Sequence, residues 1–295
     1  MTRFDASRFR ETLTVADGAW ATLLRQRGLP ARTLAEAANV RQPELVLELA
    51  TAYLAAGARI LSTNTFACNR VALTQRGVHE DPERWNRRGV ELAREAATGT
   101  DTLIVGTMGP SGRMLRVRDG DRGAIVEAFR RHALELAAGG VDALLLETFS
   151  ELEELLLALK VAKEATGLPV IASLSFDSGP QRTATLMGET ADACGAALDE
   201  AGADVVGCNC GAGVAHVLPS VVALRAATSR PLWVKPSAGP PELDDGRLVY
   251  TLTPDEFVHH VPALIDAGAN IIGGCCGIGP EHIRKLSAMV ERRHR

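Results

Sequence analysis

Cysteines carry the clearest chemical signal in this 295-residue sequence. A Gly-Cys-Asn-Cys stretch at 207–210 contains Cys208 and Cys210, and a Gly-Gly-Cys-Cys-Gly stretch at 273–277 contains Cys275 and Cys276. Each stretch ends a short apolar run of the kind that forms a buried strand. The glycines allow the backbone to turn tightly enough to point adjacent thiols at one place. Three thiolates around one ion, with a fourth position open, describe a catalytic zinc site.

The sequence leaves alternatives open for these cysteines. Cys208 and Cys210 are two residues apart, so a regular strand points both the same way and does not show which one binds metal. A structural site with four thiols, a disulfide between Cys275 and Cys276, and simple packing are the other possibilities. The two remaining cysteines of the chain are predicted to pack as small buried side chains.

A zinc ion held by three thiolates favours one class of reaction. A free thiol is mostly protonated at neutral pH and is a poor nucleophile, whereas a zinc-bound thiol loses its proton. The charge of the three cysteine thiolates keeps a fourth, substrate-derived thiolate electron-rich. We therefore expect alkylation of sulfur, because zinc sites that hydrolyse bonds more typically use histidine and carboxylate ligands.

Charged side chains also occur where predicted strands end. Glu147 ends an apolar run, and a carboxylate there needs a cationic partner, which either a substrate ammonium or a neighbouring arginine or lysine supplies. Asp17 and Gly18 follow the first apolar run, where Asp17 fits a substrate contact, a turn or a helix cap. Lys235 ends another run and either binds a carboxylate or pairs with an acid.

Eight strands, each followed by a helix, are predicted to position these residues. The strands are predicted at 13–16, 59–63, 102–107, 143–147, 169–175, 204–209, 231–235 and 270–274. The helices that follow them are predicted at 43–56, 82–97, 123–138, 152–165, 190–201, 214–227, 254–267 and 280–292. Eight such units in this length predict one (β/α)8 TIM barrel, a single domain over residues 1–295. In a barrel, strands six and eight end roughly 10 Å apart on one rim, so their cysteines can reach one ion. A doubly wound sheet is the alternative, but the first strand lacks the Gly-x-Gly-x-x-Gly that follows it in such folds.

Composition narrows the class of protein. Hydrophobic residues make up 46% and charged residues 23%, with a net charge of −4 and no basic stripe, which argues against nucleic-acid binding. No apolar run approaches the roughly 18 residues of a membrane span, and the first residues lack an apolar signal core. We expect a cytoplasmic protein with no membrane partner.

The motifs resemble those of the homocysteine S-methyltransferase family. That family includes betaine–homocysteine methyltransferase, S-methylmethionine-dependent enzymes and the homocysteine module of cobalamin-dependent methionine synthase. The resemblance covers nearly the whole chain, and the Cys-Cys element is its most specific part. The matching stretches are Asp-Gly-Ala-Trp-Ala-Thr at 17–22, Thr-Asn-Thr-Phe at 63–66, Leu-Glu-Thr at 146–148, the two cysteine motifs, and Gly-Pro-Glu-His-Ile at 279–283.

The resemblance implies a ligand set for zinc. The family's ligand on strand six is the cysteine directly after asparagine, which corresponds to Cys210. Cys275 and Cys276 are the other two ligands, and Cys208 is left as a packing residue. We further expect no side chain to act as a catalytic base, because zinc would lower the pKa of the substrate thiol itself.

The resemblance also implies the substrates. Glu147 would hold the amino group of homocysteine, and the turn at Asp17 and Gly18 would lie against the amino acid part. Methionine would be the product. The methyl donor would be a sulfonium, a methyl-corrinoid or a methylfolate, and a separate corrinoid protein is a further candidate partner.

Departures from the family pattern concern the donor and the pocket. Trp20 and Ala21 stand where cobalamin-dependent modules have methionine and glycine, and Ser237 begins a loop that usually contains asparagine. Aromatic residues make up only 4%, which disfavours betaine, since a quaternary ammonium is bound by aromatic rings. The loop at 108–122 carries four arginines that either contact an anionic donor or a corrinoid protein, or are solvated. A non-catalytic zinc-binding barrel and an enzyme for a different thiol are the rival functions.

Overall fold

The computed structural model describes residues 3–113, 115, 122–244 and 247–293. Its strands are β1 (Thr14–Val15), β2 (Ile60–Ser62), β3 (Leu103–Met108), β4 (Ala143–Phe149), β5 (Val170–Leu174), β6 (Val205–Cys210), β7 (Leu232–Pro236), β8 (Glu242–Asp244), β9 (Arg247–Val249) and β10 (Ile271–Ile272). Its α-helices are α1 (Ala21–Gln26), α2 (Ala38–Arg41), α3 (Pro43–Ala55), α4 (Arg70–Gln75), α5 (Pro82–Ala96), α6 (Arg122–Ala138), α7 (Leu152–Thr166), α8 (Ala191–Glu200), α9 (Leu218–Ala227), α10 (Pro254–Asp266) and α11 (Pro280–Arg293). Two 3-10 helices occupy Ala6–Arg10 and Ala35–Ala37. Within these residues no helix combines the length and apolar character needed to cross a membrane.

Eight parallel strands form a ring, in the order β1-β10-β7-β6-β5-β4-β3-β2. Strand β1 pairs with β10, with Thr14 opposite Ile271. On the other side of β1, Ala16 forms a parallel bridge with Ile60 at the start of β2, which closes the ring. The predicted (β/α)8 barrel is confirmed. Since all eight strands run the same way, their C-terminal ends share one rim.

Apolar side chains fill the centre of the ring. Each of the eight strands, or a residue next to it, contributes at least one side chain to this cluster: Ala16, Ile60, Val105, Ala143, Leu145, Ile171, Val205, Trp233 and Ile271. Phe4 and Phe9, from the segment before β1, belong to the same cluster. Because that segment lies at the N-terminal ends of the strands, its rings cover this end of the barrel. The C-terminal rim is therefore the end at which a pocket can form.

The predicted helices agree with the structure within about two residues at most ends, with one exception. A helix was expected to begin at Val214, but α9 begins at Leu218, with Pro219 in its first turn. Proline lacks an N–H and its ring clashes with the carbonyl four residues earlier, so it is favoured in the first turn of a helix and disfavoured further inside. Val214 instead donates its N–H to the carbonyl of Ser237 at 3.1 Å and joins the loops after β6 and β7.

Several short elements were not expected from the sequence. These are the helices α1, α2 and α4, the 3-10 helices and the β8–β9 hairpin. Each of these helices and strands has six residues or fewer, which is too short for a hydrophobic period to be recognised. Apart from the first 3-10 helix, all of them lie in segments that follow strands β1, β2 and β7. They surround the rim that carries the cysteines.

Candidate active site

Three thiols meet at the C-terminal rim. The Sγ atoms of Cys210 and Cys276 lie 3.9 Å apart, and with Cys275 all three sulfurs lie within 4.8 Å of one another. In the part of the chain that the structure describes, no second group of three potential metal ligands of the His, Cys, Asp and Glu types is found. The predicted zinc ligands are thus brought together, and their binding of a metal stays a prediction.

A change of backbone conformation separates Cys210 from Cys208. Cys210 has a φ of +61° and Gly211 a φ of +70°, both in the left-handed region. Such a φ is uncommon for a residue with a Cβ, and it occurs where a site requires a particular side-chain direction. Cys208 remains buried in the core between strands and helices, where burial raises the pKa of its thiol to about 12. The alternation of a regular strand therefore ends at Cys210, the last residue of β6.

Backbone hydrogen bonds hold the loop that carries Cys275 and Cys276. The N–H of Cys275 donates to the carbonyl of Pro236 at 2.9 Å, and the carbonyl of Cys276 accepts from Ala238 at 2.8 Å. The loop after β7 thus fixes both cysteines. Within the cluster, hydrogen bonds from Cys210 and Cys275 lower the pKa of the Cys276 thiol.

Asn209 links this cluster to the end of β4. Its Oδ1 accepts from the N–H of Thr148 at 2.9 Å and from the hydroxyl of Ser173 at 2.7 Å. Its Nδ2 donates to the hydroxyl of Thr148 at 2.6 Å and lies 3.9 Å from the sulfur of Cys275. Asn209 therefore fixes Thr148, the residue after Glu147 in β4, relative to the thiols.

Glu147 lies in the same pocket as the thiols, a cavity of about 210 Å³. A register shift interrupts the pairing of β4 with β5 between Leu146 and Phe149, and such bulges redirect side chains near active sites. Burial raises the pKa of Glu147 to about 8, against a lowering by the charge of Lys235. No described residue forms a hydrogen bond or an ion pair with its carboxylate, so the pocket holds an acid that is available to a cationic ligand.

Asp17 is bound by four protein donors. Its Oδ1 accepts from the ammonium of Lys235 at 2.6 Å. Its Oδ2 accepts from the N–H of Ser62 at 2.9 Å, from the Ser62 hydroxyl at 2.6 Å and from the indole of Trp20 at 3.1 Å. Lys235 thus pairs with an acid, and this acid is Asp17 and not Glu147. The predicted contact of Asp17 and Gly18 with substrate stays a prediction, and Gly18 lines the pocket.

Comparison with known proteins identifies the family. The family model for homocysteine S-methyltransferases matches residues 14–290. The chain belongs to the homocysteine S-methyltransferase family. The resemblance seen in the sequence is therefore confirmed over almost the whole barrel.

Comparison with individual proteins supports this family assignment. The chain is 30% identical to the methionine synthase of Mycobacterium leprae over 302 aligned residues, which cover 96% of this chain and 24% of that protein. It spans about a quarter of the length of the curated relatives it matches. The metallated form of the homocysteine methyltransferase MmuM from Escherichia coli is similar in structure, with a TM-score of 0.77, 26% identity and coverage of 97% and 99% of the two chains. The carboxyl transferase domain of Rhizobium etli pyruvate carboxylase shares the fold alone, at 17% identity, a TM-score of 0.55 and coverage of 98% of this chain and 49% of that one.

Tyr250 is a residue of this methyltransferase-family site that the sequence did not reveal. It directly follows the β8–β9 hairpin, and its ring packs on Gly277, where an added Cβ would lie 2.5 Å from the ring. Its hydroxyl is a hydrogen-bond partner of Cys276 and lowers the pKa of that thiol. Burial and the neighbouring thiols in turn raise the pKa of Tyr250. The hairpin therefore places a phenol on the outer side of the thiol cluster, and only the unpredicted hairpin explains its position.

The arginine-bearing loop at 108–122 is described only in part. Residues 114 and 116–121, with Arg116 and Arg118, lie outside the described residues. Arg122 forms an ion pair with Glu153 at 2.9 Å. The prediction that this loop contacts an anionic donor or a corrinoid protein stays a prediction.

Proposed function

We propose that this chain catalyses the zinc-dependent transfer of a methyl group from an activated donor to the thiol of homocysteine, which yields methionine. One observation carries the proposal. Three thiols lie within 4.8 Å of one another at one wall of a pocket, and the same pocket contains Glu147, an acid with no partner among the described residues. Such a pocket matches a ligand with a thiol at one end and an ammonium at the other.

The donor set fits zinc. Sulfur ligands select zinc among the common divalent ions, and three protein ligands leave the fourth tetrahedral position open to substrate. Cys210, Cys275 and Cys276 would hold the ion. Bound there, zinc supplies the Lewis acidity that keeps a substrate thiol deprotonated and nucleophilic at neutral pH.

The chain's own residues orient the acceptor. Glu147 binds the ammonium of homocysteine and so positions the thiol at the cysteine cluster. Gly18 lines the pocket, and the turn at Asp17 and Gly18 would lie against the amino acid part of the ligand. Asn209 holds Thr148, the residue after Glu147 in β4, in register with the thiols. These fixed contacts convert a bimolecular encounter into an oriented attack on the donor methyl group.

The donor is drawn from three classes: a sulfonium, a methyl-corrinoid and a methylfolate. A corrinoid donor would be delivered by a separate protein, and the others as small molecules. The reaction would proceed in the cytoplasm, where reducing conditions keep the three thiols free to bind metal. Methyl transfer assayed with one donor of each class would identify the one in use.

Zinc content and X-ray absorption, measured with and without L-homocysteine, test the proposal. We expect three sulfur neighbours in the zinc-loaded protein and four after homocysteine is added. Four sulfurs in both samples would indicate a closed structural site, and a barrel without bound metal would remove the mechanism. A rise to four sulfurs with other thiols and not with homocysteine would indicate a different acceptor.

A further inference from the structure

The pocket contains more acidic groups than basic ones. Glu36, Glu147 and the three thiols line it, and among its described lining residues Lys235 is the single cation. An amino acid acceptor brings a carboxylate of its own into these surroundings. A carboxylate removed from water requires a cation or hydrogen-bond donors, because an unpaired buried charge is strongly unfavourable.

The ammonium of Lys235 has N–H groups that form no hydrogen bond with a described residue. Its ammonium carries three N–H groups, of which one donates to Asp17 at 2.6 Å. No other hydrogen bond joins this ammonium to a described residue. The side chain is 3% exposed, and its nitrogen lies 5.4 Å from the centroid of the Trp233 ring, within the range of a cation–π contact. The remaining donors therefore have the pocket, and not bulk water, as their surroundings.

Asp17 keeps this ammonium in place. Its other oxygen is held by Ser62 and Trp20, so the carboxylate cannot turn toward a ligand without breaking three hydrogen bonds. Because the paired lysine is buried, it cannot extend into solvent either. Asp17 therefore acts as a positioning residue that fixes the nitrogen of Lys235 at the pocket wall.

We propose that Lys235 binds the carboxylate of the acceptor through the N–H groups that Asp17 leaves free, and that Lys235 and Glu147 together select thiols that are α-amino acids. This inference rests on the proposed function and assigns the second half of acceptor recognition. Ammonium and carboxylate are attached to one carbon in such a substrate. Two opposite charges on the protein therefore fix both the position and the rotation of the acceptor.

The electrostatics of the pocket support this pairing. The charge of Lys235 lowers the pKa of Glu147, while Asp17 and Glu147 raise the pKa of Lys235. The two side chains therefore interact across the pocket, although they form no ion pair with each other. A bound zwitterion would place its own charges between them in the complementary order.

Three thiols test the proposal by direct binding to the zinc-loaded protein. L-Homocysteine has both charged groups, 3-aminopropane-1-thiol lacks the carboxylate and 4-sulfanylbutanoate lacks the ammonium. We expect the unaltered protein to prefer homocysteine over the aminothiol by about 10- to 100-fold, as charged hydrogen bonds allow. Lys235→Met should reduce this preference to about twofold or less and leave the preference over 4-sulfanylbutanoate largely intact. Glu147→Gln should reduce the preference for homocysteine over 4-sulfanylbutanoate and leave the preference over the aminothiol largely intact.

The control variant is Lys160→Met, which removes a lysine whose side chain is 71% exposed on α7 and should retain the preference for a carboxylate. A purely structural role for Lys235 would lower the melting temperature of Lys235→Met and leave the ratio of affinities unchanged, and that result would overturn the proposal. If Lys235→Met does not fold, a fourth thiol tests the proposal on the unaltered protein. This thiol is homocysteine amide, in which the carboxylate is replaced by an uncharged group. Equal affinity for homocysteine and its amide would overturn the proposal. Failure of the proposed function is distinct, because then none of the thiols would bind to the metal.

Discussion

The sulfurs of Cys210 and Cys276 lie 3.9 Å apart although 66 residues separate them in the chain. They come from β6 and from the loop after β10, and β7 lies between these strands in the ring. The closure of the barrel, and not the local sequence, therefore creates the three-thiol cluster.

Cys210→Ala is expected to abolish tight zinc binding and methyl transfer. Loss of a ligand should lower metal affinity by more than the roughly 10- to 100-fold that loss of an outer hydrogen bond produces. Cys208→Ala is the matched control, since Cys208 is buried in the core two residues away. It should retain zinc and activity and lose about 1 kcal/mol of unfolding free energy. Zinc content measured after dialysis distinguishes the two, and equal loss of zinc in both variants would contradict the assignment.

Oxidation of the metal-free protein is expected to link Cys210 and Cys276. Their sulfurs must approach by roughly 2 Å to form a disulfide, which a loop shift can provide. Hydrogen peroxide would accept the two electrons, and the protein would lose two hydrogen atoms and its zinc-binding capacity. Mass spectrometry and a thiol count measure the change, and dithiothreitol should reverse it. Prior loading with zinc should protect the thiols; equally fast oxidation of the loaded protein would argue against zinc at this cluster.

Tyr250→Phe is expected to accelerate zinc loss to a chelator by about tenfold, because it removes a hydrogen bond to Cys276 and keeps the ring that packs on Gly277. Tyr53→Phe provides the comparison. The Tyr53 hydroxyl donates to the carbonyl of Ala19 in the core, so this variant should lose stability and release zinc at the normal rate. Unchanged release from Tyr250→Phe would show that the phenol only packs.

The affinity for L-methionine should depend on pH through Glu147. In the empty pocket burial raises the pKa of this carboxyl to about 8, so at neutral pH an ammonium must displace a proton in order to bind. The apparent affinity should rise about tenfold per pH unit below pH 8 and level off near that pH, until the methionine ammonium loses its own proton at higher pH. Methionine has no thiol, so its titration reports only the amino acid end. In Glu147→Gln the pH dependence of the methionine affinity should disappear. A pH dependence that persists in this variant would show that another group titrates.

Much of the fold follows from buried apolar runs. The strands of a parallel barrel are covered on both faces, so their runs are continuous, and acids or cysteines at their ends are conspicuous. The β8–β9 hairpin and the short helices could not be predicted, because elements of six residues or fewer show no period. Tyr250 was missed for this reason.

The site was predictable in its composition and less so in its contacts. The choice between Cys208 and Cys210 required the family resemblance, since a left-handed φ at Cys210 is not encoded by a hydrophobic pattern. The pairing of Lys235 with Asp17 joins two strands that β10 separates in the ring. Such a pair depends on the register and tilt of strands, which sequence periodicity does not give.

Closure of the ring has a consequence for how the protein is made. Strand β1 pairs with β10, so the first barrel strand to leave the ribosome cannot complete its pairing until the last strand has been synthesised. Closing so long a loop is entropically unfavourable until the final contacts form. Cys275 and Cys276 follow directly on β10, and a nascent chain without them has only one of the three thiols. Metal uptake at this cluster would therefore mark the completion of the barrel, and chains truncated before Cys275 would be left without the ion.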